Sequence, residues 1–437
     1  MASPFPVFTF DSLIEYSRSV MDRLPDYRFE TTKYQMADAA IGAFSMFFFQ
    51  CPSFLDFQRK MKEEKGCSNA QSLFDIENIM SPAHTRNMLD EVEASEFSTI
   101  YSHILEGLDT FGYLDNYRGI NNNLYVAIDG VYTVSSDKIS CQNCHRAEHK
   151  DGTITYSHSI LAPAVVAPGN PTVIPLWPEH MKPQDGHKKQ DCENTAAKRW
   201  LITHGDELRE LGVTILGDDL YSRQPIAEAI TEAGLNYILV CKRESHKKLY
   251  EWVDELEKNR VLFSLEISYE KGGHTIVERY RFNNEVRLRA DNTLAVNWCE
   301  IIIERDGKIT YTNAFVTNHW ITEKNVADIA QGGRARWKIE NENNGTLKTR
   351  GYHLEHNFGH GSKNLTATLL TLNILAFLFH TVLDLMDDKY QLIREKLPRK
   401  TFFDDIRALT RYICFKNWNS LLDFMTEGLK LKLLKTA

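Results

Sequence analysis

The sequence LYVAIDGVYTVSS, residues 124–136, decides the fold, because it is an apolar, β-branched run that follows a long stretch of helical character. Such a run is typical of a buried strand. The pattern predicts a strand that carries Asp129 just before Gly130. An aspartate buried without a partner is costly. The position therefore indicates a strand end, where a bound cation can balance the charge.

Later segments predict the rest of a sheet. Residues 157–169 (SHSILAPAVVAPG) and 172–177 (TVIPLW) have the character of two more strands, and VTILGDDLYS predicts a strand that ends at Asp218. The segment NYILVCK, residues 236–242, predicts the last strand. With helices predicted at residues 191–208 and 225–233, the order is three strands, a helix, a strand, a helix and a strand. This order predicts a mixed α/β core covered by helices and is compatible with an RNase H-like fold.

The regions on either side of this core differ in composition. Residues 243–321 begin with a helical segment and continue as alternating strands, with turns expected at Gly272-Gly273, Asn283-Asn284 and Asp306-Gly307. We therefore divide the chain into five regions. They are residues 1–118 (helical, a DNA-end-binding domain or a plain scaffold), 119–242 (first part of the core), 243–321 (helix and β-rich insertion), 322–362 (helix completing the core) and 363–437 (helical C-terminus).

Composition narrows the setting without identifying the function. The 437 residues suffice for several domains, and a net charge of −8 argues against a wholly basic nucleic-acid coat while leaving room for a local basic patch. Eight scattered cysteines form no disulfide framework and indicate a reducing cytosol. The N-terminus lacks the pattern of a signal peptide. The apolar run 367–386 contains Asn373 and His380, which favours a buried helix over a membrane span. We expect a cytoplasmic, nucleoid-associated protein.

A third carboxylate lies in the basic segment RARWKIENENNGTLK, residues 334–348. Arg336 stands one helical turn before Glu340 and on the same face. Glu340, together with Asp129 and Asp218, forms an all-oxygen ligand set of the kind that Mg²⁺ prefers. Two such ions can stabilise the attacking and leaving oxygens of a phosphoryl transfer. These three acids are the predicted catalytic and metal-binding residues.

The order of these motifs resembles that of the DDE-type bacterial insertion-sequence transposases with a β-rich insertion between the second Asp and the Glu. The likeness covers roughly residues 124–348. GDDLYS resembles the second motif of that family and favours Asp218 over Asp219. The segment around Glu340 resembles the third motif, Tyr-x2-Arg-x3-Glu-x6-Lys, in which Arg336 keeps the spacing. Gly333 stands at the tyrosine position, and Lys348 comes one residue late.

The resemblance implies a mobile-element DNA transposase. It would cut at terminal inverted repeats, transfer the freed 3′-OH to target DNA, use two Mg²⁺ or Mn²⁺ ions, and act as a homodimer on double-stranded DNA. An RNase H-like nuclease without strand transfer and a catalytically silent DNA-binding relative stay open as alternatives. The expected DNA contacts are Arg336, Lys338, Lys348 and Arg350. Trp298 or Trp320 could stack on a displaced base, and a buried core position is the favoured alternative for each of them.

The sequence Cys141-Gln-Asn-Cys144-His145 allows several interpretations. A c-type haem attachment and a thioredoxin-like redox site both use Cys-x-x-Cys, and two ordinary cysteines remain an alternative. We favour a structural zinc knuckle, with its other ligands drawn from His145, His149, His158 or Cys192. The predicted zinc set is Cys141, Cys144, His145 and Cys192.

Two polar stretches remain without an assigned role. Asp191 and Glu193 stand near a helix start, and a capped helix is a better interpretation than a part in the site. Residues 351–361 include His353, Glu355, His356 and His360. Phosphate or DNA contact is at least as well supported there as metal binding, so no ligands are assigned.

Overall fold

A computed structural model describes residues 8–28, 33–185, 189–289 and 294–432, with the backbone alone for 189–191. Its α-helices are α1 (Phe10–Met21), α2 (Met36–Phe48), α3 (Phe54–Met61), α4 (Glu64–Phe74), α5 (Pro82–Leu89), α6 (Ser98–Thr110), α7 (Lys189–Leu211), α8 (Gln224–Glu232), α9 (Lys247–Lys258), α10 (Val326–Ala335), α11 (Gly345–Thr349), α12 (Leu365–Met386), α13 (Asp388–Lys396), α14 (Arg399–Tyr412) and α15 (Trp418–Gly428). A π-helix, Ile339–Asn344, lies between α10 and α11.

The strands are β1 (Leu124–Ala127), β2 (Gly130–Ser136), β3 (His145–Glu148), β4 (Ile154–Leu161), β5 (Ala164–Val166), β6 (Ile174–Pro175), β7 (Glu179–His180), β8 (Val213–Gly217), β9 (Asn236–Val240), β10 (Phe263–Lys271), β11 (His274–Arg287), β12 (Ala295–Arg305) and β13 (Lys308–Thr317). Nine of them form one sheet in the order β10-β11-β12-β13-β9-β8-β1-β5-β6. Strands β1, β8 and β9 are parallel, and the other neighbours in this sheet are antiparallel. The mixed α/β class is confirmed.

The run 124–136, predicted as one strand, is divided between two sheets. β1 belongs to the nine-stranded sheet, and β2 pairs with β4 in a smaller sheet of order β2-β4-β3. The partner ribbon divides in the same way, because β4 ends before Pro163 and β5 continues into the large sheet. At the break, the backbone N–H of Ala162 donates to the carbonyl of Asp129 over 2.9 Å. Asp129 thus lies where the chain leaves one sheet for the other.

The β-rich insertion is continuous with the core sheet. β13 pairs with β9, with Phe315 opposite Val240, so the four strands β10 to β13 extend the core at this edge. The expected turns at Gly272-Gly273 and Asp306-Gly307 are present, with positive φ at all four residues. The turn expected at Asn283-Asn284 is wrong: β11 runs through it with a bulge. Both side-chain ends of Asn284 bond to the backbone of Ile321, which holds the bulge in place of a turn.

The N-terminal and C-terminal helices share one core around α12. The ring of Phe379 on α12 contacts Phe10 and Phe44, with centroids 6.1 and 4.8 Å apart. Helix α12 is long and apolar enough to cross a membrane, but 83% of its most apolar window is buried inside the protein. That burial fits the core helix of a soluble protein. The helical C-terminal region continues beyond α12 as α13, α14 and α15, and the Asn417 side chain caps the last of these.

Helix α10 is seated directly on the sheet by two glycines. A Cβ at Gly332 would lie 2.8 Å from the ring of Tyr125 on β1, and a Cβ at Gly333 would lie 2.6 Å from the ring of Phe315 on β13. The helix can approach this closely only because these positions have no side chain. A tyrosine side chain would therefore not fit at position 333. The glycine sets the distance between the sheet and α10, the helix that leads to Glu340.

We expect Gly333→Ala to lower the free energy of unfolding by about 1–3 kcal/mol, because the added methyl overpacks against Phe315. A Gly to Ala change inside a helix ordinarily stabilises by about 1 kcal/mol. Gly42→Ala is the matched control, because a Cβ at Gly42 in α2 meets nothing within 4 Å. Urea unfolding of both variants measures the difference, and a stabilised Gly333→Ala would contradict the close seating.

Candidate active site

The two predicted aspartates lie side by side at the carboxyl ends of neighbouring parallel strands. β1 and β8 pair in register, with Ala127 opposite Leu216. Asp129 and Asp218 each follow that pair by two residues. Adjacent strands are about 4.8 Å apart, and ligands of open α/β sheets collect at this edge. The strand register thus brings the two carboxylates to one place.

Asp219, the neighbour of Asp218, is occupied in holding a loop. Its Oδ1 accepts the backbone N–H of Lys242 over 2.7 Å, and its Oδ2 accepts the hydroxyl of Ser245. Asp218 makes one local hydrogen bond, from the backbone N–H of Leu220 to Oδ1 at 2.8 Å. Asp218 is half-buried and faces the strand ends, so the division of roles between the two aspartates agrees with the preference for Asp218.

Glu340 reaches the site from the π-helix. The backbone N–H of Gly345 donates to the carbonyl of Glu340, five residues back, which is the bond that defines this wider turn. At the other end of the turn, Nδ2 of Asn344 donates to Oδ2 of Asp129 over 3.0 Å. One side of the π-helix therefore contacts the first aspartate directly. Glu340 itself is half-exposed and pairs with Nη2 of Arg336 at 2.7 Å.

The acids are close enough to perturb one another. Burial raises the pKa of Asp129 to about 7, and the charge of Glu340 is the next cause. The charges of Asp218 and Glu193 raise this pKa further, while that of Arg336 lowers it. Four carboxylates and one guanidinium thus share an electrostatic environment, in which Asp129 and Glu193 are shielded from water while Glu340 is half-exposed. Such a group of like charges favours a proton or a cation among them.

Glu193 belongs to this group, although the sequence favoured a plain helix start for it. It lies near the start of α7, buried, and a Cβ at Gly130 would fall 2.3 Å from its Oε1. Gly130 follows Asp129, so its missing side chain is what lets the Glu193 carboxylate approach. The sequence feature that could have indicated a close approach by another side chain is the glycine directly after Asp129. Asp191 lies among the residues whose side chains are not described.

Tyr221, in the GDDLYS motif, lies close to the carboxylates. Its ring is fully buried, and its hydroxyl has no hydrogen-bond partner among the residues that the structure describes. Burial raises its pKa, and the neighbouring charges of Glu193, Asp129 and Asp218 add to the shift. The hydroxyl therefore lies near three of the four carboxylates. Nη1 of Arg336 is likewise buried and lacks a partner within the described chain.

Some of the residues expected to contact DNA are exposed to solvent, and others are buried. Trp298 is fully buried in β12 beside Tyr250, so stacking of this residue on a base is excluded in this conformation; Trp320 and Trp337 are exposed. Lys338 is also buried, with its ammonium 5.0 Å from the ring of Trp337. Lys348 pairs with Glu355 at 2.7 Å, and Arg350 is exposed. Arg336, Lys348 and Arg350 are thus the basic residues on the accessible side.

The two cysteines of the Cys-x-x-Cys motif lie in a compact cluster with two histidines. Sγ of Cys141 and Sγ of Cys144 are 3.7 Å apart. Nε2 of His158 on β4 lies 3.4 and 3.3 Å from these two sulfurs, and Nε2 of His360 lies 3.1 Å from Sγ of Cys144. One donor atom from each of the four residues falls within 4.8 Å of the others.

His145 and Cys192, the other two residues of the predicted zinc set, lie outside this cluster. β3 pairs with β4 so that His145 is opposite Ser157. Opposed residues share a face of the sheet, and His158, one position on, points to the other face. Cys192 on α7 lines a cavity of about 430 Å³ that Cys144 also lines, but it is not among the four clustered donors. Two of the four predicted ligands, Cys141 and Cys144, thus belong to the cluster, and His145 and Cys192 do not.

Comparison with models of known protein families and with curated proteins gave no match to this chain. The functional argument accordingly depends on the geometry of the chain itself.

The raised pKa of Asp129 predicts a pH dependence of the metal-free protein. Because the folded pKa of about 7 exceeds the ordinary value of 3.8, the folded state keeps a proton that the unfolded state loses. The free energy of unfolding should therefore fall as the pH rises from about 4 to about 7. Urea unfolding in the presence of a chelator, at pH 5 and pH 8, measures this fall. Asp129→Asn should show a smaller fall, and an equal one would contradict the assignment.

Proposed function

We propose that this protein is a metal-dependent DNA transposase of the DDE type, with Asp129, Asp218 and Glu340 as ligands of two divalent cations. The observation that carries the proposal is the placement of Asp129 and Asp218 at the ends of two paired parallel strands, with Glu340 on the π-helix near enough for its charge to raise the pKa of Asp129. Oxygen donors of this kind suit Mg²⁺ or Mn²⁺. A pair of such ions, when bound, would stabilise the attacking and leaving oxygens of a phosphoryl transfer.

The fit between the acids and a cation is supported by the polar groups around them. The carboxylates raise the pKa of Asp129 in a buried setting, a repulsion that a cation would relieve. The Tyr221 hydroxyl is buried without a partner within the described residues. Oxygen atoms dominate the site, and the soft donors of the chain are gathered elsewhere, in the cysteine–histidine cluster. This separation favours a hard cation at the carboxylates.

The topology of the sheet also supports the proposal. Strands β6, β5, β1, β8 and β9 are consecutive neighbours. β5 is antiparallel to both β1 and β6, and β6, β8 and β9 run in the same direction as β1. Helix α7 precedes β8, and α8 connects β8 to β9. Three strands, a helix, a strand, a helix and a strand is the arrangement expected of an RNase H-like core. Strands β10 to β13 then occupy the place of the family's β-insertion.

A basic cavity beside the site fits a nucleic-acid backbone. Its volume is about 650 Å³, and it adjoins the loop that follows Asp218. Basic side chains outnumber acidic ones in its lining, which gives it a local positive charge in a chain of net charge −8. Phosphate contacts need only such a local patch. The charged residues of the lining are Arg223, Lys247, Lys248, Arg289 and Glu244.

The chain's own residues would divide the work as follows. Asn344 holds the Asp129 carboxylate in orientation through its 3.0 Å hydrogen bond. Arg336 holds Glu340 with Nη2, while its Nη1 is buried without a partner within the described residues. The exposed rings of Trp320 and Trp337 offer stacking surfaces for an unpaired base.

The test is metal-dependent cleavage and strand transfer on DNA that carries the inverted repeats flanking the gene. Asp218→Asn and Glu340→Gln should each lower both activities by at least about a hundredfold, because each removes a metal ligand. Glu342→Gln is the matched control on the same turn and should stay active. Binding of Mn²⁺, followed by electron paramagnetic resonance, should weaken in the first two variants alone.

Two outcomes would decide against the proposal. Cleavage without any joining of ends would favour a nuclease that lacks strand transfer. Metal-independent DNA binding, unchanged in Asp218→Asn and with no cleavage by the unaltered protein, would indicate a catalytically silent relative.

Glu193 is expected to contribute to the same metal site as a fourth carboxylate. Glu193→Gln should lower Mn²⁺ affinity by about 10–100-fold while the protein stays folded, because the change removes one charge next to Asp129. Glu207→Gln on the same helix is the control. Glu207 accepts a hydrogen bond from Ser102 over 3.1 Å and is four turns away from Glu193. Equal affinities in the two variants would show that Glu193 has only a packing role.

A further inference from the structure

We infer that Cys141, Cys144, His158 and His360 bind one zinc ion that joins two distant parts of the chain. The inference does not depend on the proposed function, because it uses none of the carboxylates. Cys141 and Cys144 come from the loop between β2 and β3, and His158 comes from β4. His360 comes from the connection between α11 and α12, 216 residues after Cys144.

The distances within the cluster are those of a tetrahedral site. Zinc binds sulfur at about 2.3 Å and nitrogen at about 2.0–2.1 Å, so it holds two sulfurs about 3.8 Å apart and a sulfur about 3.6 Å from a nitrogen. The two sulfurs here are 3.7 Å apart. Three of the four sulfur-to-nitrogen distances are 3.4, 3.3 and 3.1 Å, and the fourth is below 4.8 Å. A single ion at the centre reaches all four donors with small adjustments.

Other roles for the two cysteines fit less well. A disulfide has its sulfurs about 2.05 Å apart, and both cysteines are free at 3.7 Å. A haem attachment needs the histidine that follows the second cysteine, but His145 faces the other side of the sheet. The backbone N–H of Cys141 donates to Sγ of Cys144 over 3.3 Å. That bond would stabilise a thiolate in the knuckle.

The donor set selects both the metal and its role. Two thiolates and two imidazoles in a tetrahedral arrangement favour zinc over Mg²⁺ or Mn²⁺. Cys144, His158 and His360 are buried, and four protein ligands leave no position open for water or substrate. The ion would therefore be structural. It is distinct from the divalent cations proposed at the carboxylates.

The position of the cluster shows what the ion would hold together. β2, which leads to the knuckle, begins at Gly130 directly after Asp129, and His360 follows the helices that carry Glu340. Around it, Nδ2 of Asn143 donates to the carbonyl of Lys363 over 2.7 Å. Asp90 accepts backbone N–H groups from Ser362 and Leu365. Zinc would thus fasten the small sheet to the segment that enters α12.

The experiment is metal analysis of the full-length protein purified without a metal-affinity tag from cells grown with zinc. About one zinc per chain is expected. Cys144→Ser and His360→Asn should lose it, whereas the controls His145→Gln and Cys192→Ser should keep it. Asp129→Asn and Glu340→Gln should also keep it, which separates failure of this inference from failure of the proposed function.

Cobalt substitution of the unaltered protein makes the test independent of whether the ligand variants fold. Tetrahedral cobalt with thiolate ligands gives intense visible bands and a near-ultraviolet charge-transfer band, and zinc should displace both. Protein that contains no zinc and gives no such bands would overturn the inference. So would loss of zinc in His145→Gln or Cys192→Ser together with its retention in His360→Asn.

Discussion

The burial of Asp129 next to other carboxylates is the constraint on which this structure depends. The paired register of β1 and β8 sets Asp129 beside Asp218, and the packing of α7 and the π-helix adds Glu193 and Glu340. Among the described residues, the Asn344 amide at Asp129 and the Arg336 guanidinium at Glu340 offset part of this charge. The pKa of Asp129 is nevertheless raised, first by burial and then by the charge of Glu340. Sites of this kind are typically functional, because structure alone gives no reason to collect like charges.

Under the proposed function, the π-helix would account for the late position of Lys348 after Glu340. A π-helical turn holds one residue more than the corresponding α-helical length. Within Ile339–Asn344 that extra residue lies between Glu340 and Lys348. The extra residue shifts everything after it by one position. Lys348 therefore faces the side that residue 347 would face in an uninterrupted α-helix. The glycine at the tyrosine position has a separate cause, since Gly333 lies against the ring of Phe315.

Local sequence patterns predicted the positions of the helices and strands in the core. They could not predict features that depend on tertiary contacts. Strand and helix positions in the core followed from apolar periodicity, as did the strand ends that carry Asp129 and Asp218. The division of residues 124–136 between two sheets was missed, because an apolar run looks alike whichever sheet it joins. Burial of Trp298 in β12 beside Tyr250, and of Lys338 beside Trp337, depends on partners that no spacing reveals. His360 was missed as a cluster member because it lies 216 residues from Cys144.

The two candidate metal sites draw their ligands from the same two segments of the chain, and each site uses a different end of those segments. Asp129 ends β1 and the knuckle follows β2, so one continuous stretch of chain contributes to both. The other stretch carries Glu340 and Asn344 and then His360. A hard cation held by oxygens exchanges readily and keeps positions for substrate, whereas a closed thiolate–imidazole site holds its ion. A permanent clamp at His360 would therefore limit how far Glu340 can move from Asp129 when the exchangeable ions leave. If both proposals hold, the small sheet would help to keep the carboxylates aligned while divalent cations and DNA bind and leave.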